Sequence, residues 1–393
     1  MMRDVMPTAA TALVFAVLLG EVNGASTSSR LLQIRRGGNT RFLKRARERT
    51  LLRHNTGSSS SSSLVRRAKA ETGSSKDLLE PNQTLQQPGM EGKFWDWRGH
   101  SIRYQEAKAP SSLVSKDDPV VILVHGFGGN ADHWRKNIPE VSKYADTYAI
   151  DLLGYGFSAK PTPPAAYPSP EQIYTFETWG EQLRAFSKEV AGVGEGRKVY
   201  YICNSVGSVA GLQAAVLEPD STAGVMLLDP SLRLLHWSKQ PFLQRPLTSL
   251  LQTTLRETQL GRWFFGQVAT PKGVRSVLEQ AYHDKAQVTD ELVNFILNPG
   301  LLPGAVDVFL DFISYSGGPL PEELIPQLKC PVQIVWGEED PWEPLEMGRR
   351  TFGGLKNIEK FITLPGVGHC PMDEAPQLVN PLIHEFVSSS QNK

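Results

Sequence analysis

Ser205 stands where an apolar run turns directly into a segment of small residues. Residues 200–204 (Tyr-Tyr-Ile-Cys-Asn) precede Ser205-Val206-Gly207-Ser208, and Val-Ala-Gly-Leu follows. A sharp strand-to-helix turn needs small residues around its apex, and it exposes the central side chain at the edge of a sheet. We therefore expect Ser205 to be a nucleophile. For so short a pattern, a structural helix cap is the alternative.

His369 is the histidine best placed to activate this serine. A serine hydroxyl attacks poorly until a histidine removes its proton, and that histidine needs an acid to hold its tautomer. Of the eight histidines, His369 follows the last apolar run, in the glycine-rich loop 364–371, and precedes a terminal helix predicted at residues 376–387. His125 precedes the glycines of another turn, where we expect a structural role.

Two aspartates are candidates for the acid. Asp340 follows the strand-like run 333–336 and is the last of three consecutive acids, Glu338-Glu339-Asp340. Pro341 comes next and restricts the turn. Asp340 also keeps the chain order Ser, Asp, His that is expected when the serine lies in such a turn. We predict Asp340 as the acid, with Asp229, at the end of the preceding run, as the alternative. Glu338 and Glu339 are expected to be solvated surface charges.

Acyl transfer also needs N–H donors aimed at the developing oxyanion, each worth about 3 kcal/mol. The loop 125–130 (His-Gly-Phe-Gly-Gly-Asn) follows an apolar run, and its glycines let the backbone approach a ligand closely. We predict the amides of Phe127 and Val206 as the oxyanion hole. Phosphate binding is the alternative for a glycine loop, but no Gly-Lys-Ser/Thr follows.

These residues must be positioned by a sheet, because each follows an apolar, β-rich run. In open α/β sheets the ligand crevice lies at the carboxyl ends of the strands, where these turns fall. Such runs alternate with helical patterns from Phe94 onward, which indicates βαβ units on a mostly parallel sheet. The predicted strands are 120–124, 145–152, 198–203, 223–228, 331–336 and 360–364.

About 100 residues of helical character separate the runs that end at residue 228 and begin at residue 331. Leucines and other apolar residues recur there at helical spacing, for example at positions 247, 250, 251 and 255. The segment from His236 through Tyr315 contains ten Phe, Trp or Tyr residues. Packing within the insertion explains most of them. Some are predicted to line an apolar ligand chamber, and Trp237, Phe264 and Phe265 are the candidates for substrate contact.

Together these motifs resemble the α/β-hydrolase superfamily over residues 94–388. Residues 151–158 resemble its Asp-x-x-Gly-x-Gly-x-Ser loop, and residues 133–139 are similar to a helix start of plastid members. The resemblance implies an α/β fold with an eight-stranded, mostly parallel sheet, helices on both faces and a helical cap insertion. It places the first part of the core at 94–229, the cap at 230–328 and the second part of the core at 329–388.

Residues 340–344 and 368–371 further resemble the plant and algal branch that includes pheophytinase and chlorophyll dephytylase. The resemblance implies hydrolysis of the phytyl ester of chlorophyll-type pigments. The family turn reads Gly-x-Ser-x-Gly, and better-known members of this branch carry Gly-Asn-Ser-Leu-Gly. Here Cys203 replaces the first glycine, and Val206 replaces the leucine.

Charge is unevenly distributed along the 393 residues. Lys and Arg number 41 and so do Asp and Glu, but residues 1–75 contain 13 basic and 4 acidic residues, which leaves 28 basic and 37 acidic in the rest. Nucleic-acid affinity comes largely from Lys and Arg, so an anionic body argues against nucleic-acid binding. The cysteines, Cys203, Cys330 and Cys370, match neither a disulfide framework nor a zinc site. We expect no metal and no cofactor.

The first 93 residues are interpreted as a leader and a linker. Residues 1–24 contain a 12-residue apolar run and small residues before Ala25, which indicates a signal peptide; a membrane span needs about 20 residues. Residues 25–75 are rich in Arg and Ser and poor in acids, like an organelle transit peptide. Residues 76–93 look like a linker. The two-part leader favours a plastid, with secretion and mitochondrial import as alternatives.

These observations predict a serine hydrolase that cleaves a lipophilic carboxylic ester, with phytyl esters as the first substrate class. The alternatives are other chemistry on the same scaffold, namely carbon–carbon hydrolysis or cofactor-free peroxidation, and a ligand receptor without turnover. Dehalogenase and epoxide hydrolase chemistry needs a carboxylate in place of Ser205. No obligate protein partner is evident, and contact of the insertion with a membrane surface stays open.

Overall fold

The computed structural model describes residues 92–113, 115, 117–164, 172–194 and 196–389. The predicted signal peptide (1–24), the transit-like segment (25–75) and nearly all of the predicted linker (76–93) lie outside the described residues. The first strand begins at Gly92, two residues before the predicted start of the core. Gly92 pairs with Gln105 of the second strand, so backbone pairing extends the strand past its apolar residues.

The described residues form one eight-stranded sheet of order β1-β2-β4-β3-β5-β6-β7-β8. The β1–β2 and β2–β4 pairs are antiparallel, and the other five pairs are parallel. The predicted fold class is therefore confirmed. The strands are β1 Gly92–Trp97, β2 His100–Ala107, β3 Val120–Val124, β4 Thr147–Ile150, β5 Val199–Asn204, β6 Thr222–Leu228, β7 Val332–Gly337 and β8 Ile358–Leu364.

Both faces of the central strands are covered by helices, which explains their continuous apolar sequences. Every residue of β3 is buried. Because successive side chains point to opposite faces, Ile122 joins one apolar cluster and Leu123 joins the other. The first cluster includes Trp179 and Leu212, and the second includes Ile383. The sheet thus separates two cores.

The helices of eight or more residues are labelled here in chain order. They are α1 Phe176–Glu189, α2 Val206–Leu217, α3 Arg245–Glu257, α4 Gln259–Val268, α5 Pro271–Ala281, α6 Asp290–Gly300, α7 Ala305–Ile313, α8 Leu345–Phe352 and α9 Pro376–Ser389. Shorter helical turns occupy Ala131–Trp134, Ile138–Val141, Lys285–Gln287, Pro321–Leu324, Ile325–Gln327 and Pro371–Glu374. The terminal helix α9 continues two residues beyond its predicted end.

Helices α3 to α7 lie between β6 and β7, within the segment predicted as a cap. The apolar spacing correctly predicts that α3 exists, but burial is uneven along it. Leu255 is buried, whereas Leu247 and Leu250 are exposed. Among the described residues, no single helix is long and apolar enough to cross a bilayer. Helices α6 and α7 pass that test only as a pair, and they meet at a 92° bend.

Candidate active site

Ser205 lies at the apex of the turn between β5 and α2. Its φ of 53° and ψ of −125° fall in a region that residues other than glycine rarely adopt. The backbone is held there by a hydrogen bond from the Ser205 N–H to the Leu228 carbonyl at 3.0 Å. Glycines make room for the turn: a Cβ built on Gly126 would lie 2.9 Å from the Ser205 Cβ, and one on Gly207 would lie 2.3 Å from the His125 oxygen.

Cys203 occupies the position where the family turn carries glycine, and a second glycine accommodates it. A Cβ built on Gly211, in the second turn of α2, would lie 2.3 Å from the Cys203 Sγ. The thiol fills the space that a side chain at position 211 would need. Burial raises the pKa of the Cys203 thiol, so it stays neutral. Cysteine in place of the family's glycine at position 203 is thus accommodated by glycine at position 211, and the Ser205 backbone keeps its turn.

His369 contacts both the serine and an aspartate. The Nδ1 atom of His369 lies 2.7 Å from the Asp340 Oδ2, and its Nε2 atom lies 2.9 Å from the Ser205 Oγ. An ionised carboxylate only accepts hydrogen bonds, so Nδ1 carries the proton and Nε2 is free to accept one from the serine. The structure therefore brings together the three residues that the sequence proposes as nucleophile, base and acid. All three are buried.

Asp340 is fixed by its own backbone neighbours. Its Oδ1 atom accepts hydrogen bonds from the N–H groups of Trp342, at 2.8 Å, and Glu343, at 3.1 Å. The other oxygen is thereby directed at His369. The turn that follows Pro341 supplies both donors, which is the local reason why an acid at this point of the chain is held in one orientation.

The loop that carries His369 is anchored to the cap and to the serine turn. The His369 N–H donates to the Ala281 carbonyl at 2.8 Å, and the Asn204 side chain donates to the His369 carbonyl at 3.1 Å. Next to this loop, the Tyr282 hydroxyl donates to Asp373 at 2.8 Å. Because Ala281 ends α5, the position of the imidazole depends on the cap as well as on the core.

The charges around His369 favour its protonated form. Burial alone lowers the pKa of His369, but the charge and hydrogen bond of Asp340, together with the charge of Glu343, outweigh burial and raise the pKa above its ordinary 6.5. A raised pKa matches the task of a general base, which must hold the serine proton during the reaction.

Asp229, the alternative acid, forms no hydrogen bond with His369 in the part of the chain that the structure describes. Its Oδ1 atom accepts from the Gly337 N–H at 2.9 Å. Burial first, and then the negative charge of Asp340, raise the pKa of Asp229 well above its ordinary value. Both causes favour the protonated form of Asp229. The backbone at this residue is also unusual, with a φ of 45°.

Glu343 is a buried acid that the sequence reasoning missed. Its Oε2 atom accepts from the Leu232 N–H at 3.0 Å, just past the end of β6. Burial, and then the charge of Asp340, raise the pKa of Glu343 to about 7. Its spacing of three residues from Asp340 is the signal that could have found it. Glu338 and Glu339 are exposed, as expected.

The two predicted oxyanion donors are available. Val206 is the first residue of α2, so its N–H belongs to the first helical turn and lacks an intrahelical acceptor. In the part of the chain that the structure describes, neither this N–H nor that of Phe127 has a protein acceptor. His125, next to this loop, accepts from the Leu152 N–H at 3.1 Å, in keeping with a structural role.

The family's aspartate loop after β4 organises the edge of the site. Asp151 accepts from the N–H groups of Ala131, at 2.7 Å, and Phe157, at 2.8 Å, and it forms a buried ion pair with Arg103. A Cβ built on Gly156 would lie 2.0 Å from the Asp151 Oδ2, so glycine is required there. This motif positions loops rather than reacting groups.

Aromatic rings connect the cap to the oxyanion loop. The Phe127 ring stacks on Phe312, with centroids 5.2 Å apart, and lies 5.5 Å from Phe309. Phe309 also lies 5.2 Å from Phe265 and 6.3 Å from the buried Phe264. Two of the three predicted cap residues thus reach Phe127 through one intervening ring.

Trp237, the third predicted cap residue, is placed differently. Its side chain is 55% exposed. Within the described residues, its ring contacts are His236 and Arg245, and none involves the serine, histidine or aspartate of the site. The structure thus gives no support for Trp237 as a substrate contact. Also in the described residues, no group of three or more His, Cys, Asp or Glu side chains is arranged to hold a metal ion.

Comparison with known proteins shows how widely this architecture is shared. The chain is 25% identical to chloroplastic pheophytinase of Arabidopsis thaliana over 308 residues, which covers 69% of this chain and 61% of that protein. It is 27% identical to the uncharacterized hydrolase YugF of Bacillus subtilis over 295 residues, covering 74% and 95%. Among solved structures, the epoxide hydrolase CorEH superposes with a TM-score of 0.61 at 18% identity. The superposition covers 76% of this chain and 99% of CorEH, and it shows that the two proteins share a fold.

The chain spans less than two thirds of the length of pheophytinase, so the comparison reaches only that part of the relative. The family assignment has a broader basis. The sequence profile described as the Alpha/beta hydrolase family matches residues 121–382, well over half of the chain. That range includes β3 except its first residue, β4 to β8, the cap and the loops that carry Ser205, Asp340 and His369. The chain belongs to the Alpha/beta hydrolase family.

Proposed function

We propose that this protein is a serine hydrolase that cleaves a lipophilic carboxylic ester through an acyl-enzyme. One observation carries the proposal: the Ser205 Oγ, the His369 imidazole and the Asp340 carboxylate form a continuous hydrogen-bonded series, with distances of 2.9 and 2.7 Å. This is the arrangement that activates a serine hydroxyl at neutral pH.

The reaction follows from this arrangement in two halves. His369 Nε2 takes the Ser205 proton as Oγ attacks the ester carbonyl, and the N–H groups of Phe127 and Val206 stabilise the oxyanion. The imidazolium, held by Asp340, then gives its proton to the departing alcohol. In the second half, His369 takes a proton from water, the hydroxide attacks the acyl group, and Ser205 leaves with that proton restored.

The proposed substrates are lipophilic, and the phytyl ester of a chlorophyll derivative is our first choice. Three observations support it. The chain resembles chloroplastic pheophytinase at 25% identity. The Phe127, Phe309 and Phe312 rings form an apolar wall next to the oxyanion loop. The leader, residues 1–75, has the composition of a two-part plastid address, and we propose a plastid location on that basis.

Ester turnover by matched serine variants tests this function. Purified protein should release phytol from a phytylated chlorophyll derivative, and Ser205→Ala should lower kcat by about 10⁴-fold or more. Ser208→Ala is the matched control, because Ser208 lies in the same turn but donates to the Cys203 carbonyl. It should retain most of the turnover.

The pattern of failure identifies the alternatives. Turnover of simple esters without phytol release would keep the serine hydrolase and reject the pigment. Turnover of a carbon–carbon substrate with no burst of acylation on esters would favour the other chemistry on this scaffold. Tight ligand binding that is unchanged in Ser205→Ala, with negligible turnover, would indicate a receptor. Wild-type turnover in Ser205→Ala would remove the serine from its proposed role.

A further inference from the structure

An apolar surface on the cap has no role in the site described above. Of twelve large apolar side chains exposed in the described residues, seven lie within residues 237–263. We define the cap patch as five of them, located on α3 and the segment before it. They are Trp237, 55% exposed, Phe242, 78%, Leu243, 88%, Leu247, 70%, and Leu250, 65%.

Three residues of the cap patch form a stripe along α3 rather than a scattered set. Leu243, Leu247 and Leu250 follow one another at intervals of four and three, so they lie on one face of α3 and the helical turn before it. The other side of α3 packs inward: Leu255 is buried, and the Gln252 side chain donates to the Ile313 carbonyl at 3.0 Å. The helix therefore has two apolar faces, and the second one has no packing partner in the described residues.

The charges around the cap patch identify its partner. Residues 230–256 contain no Asp or Glu. Of their four basic residues, Lys239 pairs with Glu322, Arg256 pairs with Asp311, and Arg233 is buried. The Arg245 guanidinium lies 5.6 Å from the Trp237 ring centre and donates to the Gln240 carbonyl. No carboxylate of the described residues pairs with Arg245. An exposed apolar stripe bordered by tryptophan and arginine suits the boundary between lipid headgroups and acyl chains.

A second copy of the chain fits this surface less well. A two-fold contact places the same patch on both subunits. It would place Arg245 of both subunits at one contact, where their like charges repel. An anionic bilayer offers apolar acyl chains for the leucines and phosphate groups for Arg245 at the same time.

We propose that the cap patch docks this protein on an anionic lipid bilayer, with Phe242 and Leu243 inserted among the acyl chains and Arg245 at the level of the phosphates. Docking is a separate property from hydrolysis. Docking would place the cap on a bilayer, in which a lipophilic ester dissolves. The docking proposal therefore complements the proposed function without depending on it.

Vesicle flotation of the full-length Ser205→Ala protein tests docking alone, because hydrolysis is then absent. Vesicles of phosphatidylcholine with and without phosphatidylglycerol are compared. The double change Phe242→Ser with Leu243→Ser should lower the partition coefficient at least about tenfold on both vesicles, since each side chain loses its burial in hydrocarbon. Leu113→Ser is the matched control, because Leu113 is 67% exposed outside the cap. It should bind like the parent protein.

The electrostatic part is tested separately. Arg245→Gln should weaken binding about fivefold on vesicles that contain phosphatidylglycerol, and high salt should remove that difference. Lys329→Gln, an exposed charge elsewhere, should have no effect. The basic leader is the same in all these proteins, so it does not change the comparison.

Two results would overturn the proposal. One is a Phe242 and Leu243 double variant that folds normally, by its circular dichroism melt, and floats like the parent. The other is a parent protein that does not float and that sediments as a dimer, which the double variant converts to a monomer. The second result would assign the cap patch to a contact between copies.

Discussion

Replacing Asp340 with asparagine should remove most of the activity while the fold stays in place. The Asp340 Oδ1 accepts two backbone N–H groups, at 2.8 and 3.1 Å, and an asparagine Oδ1 keeps both bonds. The new amide N–H₂ then faces the Nδ1 atom of His369 in place of an oxygen that lies 2.7 Å away. Because the amide group is a donor, the ring has to accept at Nδ1 and carry its proton on Nε2. Nε2 can then no longer take the proton of Ser205.

The size of the effect follows from the loss of the reactive tautomer. Aspartate-to-asparagine changes of this kind lower kcat by about 10⁴-fold in serine hydrolases. At about 1.36 kcal/mol per factor of ten, this corresponds to roughly 5 kcal/mol of transition-state stabilisation. The neighbouring Asp229 should not restore the activity, because in the described residues the His369 Nδ1 atom bonds to Asp340 and not to Asp229. Its oxygen also already accepts from Gly337.

Asp229→Asn is the matched control, since asparagine resembles a neutral carboxylic acid in shape and keeps an acceptor for the Gly337 N–H. It should change kcat by no more than about threefold, less than the loss of one ordinary hydrogen bond would cause. The assay is steady-state hydrolysis of a short p-nitrophenyl ester, with thermal melts to show that both variants fold. If Asp340→Asn retained about a tenth of the wild-type kcat, or if Asp229→Asn fell as far as Asp340→Asn, the assignment of the acid would be wrong.

Two further predictions concern pH and packing. The general base must be neutral, and the pKa of His369 is raised, so kcat/KM should fall as pH decreases through a midpoint above 6.5. Glu343→Gln removes a buried acid whose pKa is raised to about 7, and the fall in kcat/KM should persist in this variant. Gly211→Ala should destabilise the fold by about 1–3 kcal/mol because its Cβ would meet the Cys203 sulfur, and Cys203→Gly in the same chain should recover at least half of that loss in urea unfolding. A pH limb that vanishes in Glu343→Gln, or additive losses in the double variant, would contradict these explanations.

The parts of the site that could be predicted depend on strand ends. Ser205, Asp340 and His369 each follow an apolar run, and the carboxyl ends of parallel strands meet at one edge of a sheet. Residue type and chain order therefore indicated which side chains would converge. Their contact distances are a property of the folded loops. The direction of Asp340, for example, comes from two N–H groups in the turn after Pro341, which no spacing rule specifies.

Other features depend on three-dimensional context. Asp229 and Asp340 end neighbouring strands, so sequence position alone left both as candidate acids. The raised pKa of Asp229 comes from burial and from the charge of Asp340. The compensation between Cys203 and Gly211 joins residues on a strand and on the next helix, and only their contact reveals it.

Helical spacing has a similar limit. It predicts that α3 forms, but it does not say which apolar residues face the protein. Leu247 and Leu250 belong to the same periodic pattern as Leu255, yet they face outward because Gln252 and Leu255 occupy the inner side. Trp237 was assigned to the substrate chamber by its type and position. Its exposure and its contact with Arg245 associate it with the cap patch instead.

The central claim is that Ser205 is the nucleophile, and covalent labelling tests it most directly. A fluorophosphonate probe reacts preferentially with a serine that a base has activated, and peptide mapping by mass spectrometry locates the adduct. We predict a single adduct on Ser205 that is lost in Ser205→Ala and formed far more slowly in Asp340→Asn. An adduct on another residue, or ester turnover by a protein that the probe does not label, would contradict the account.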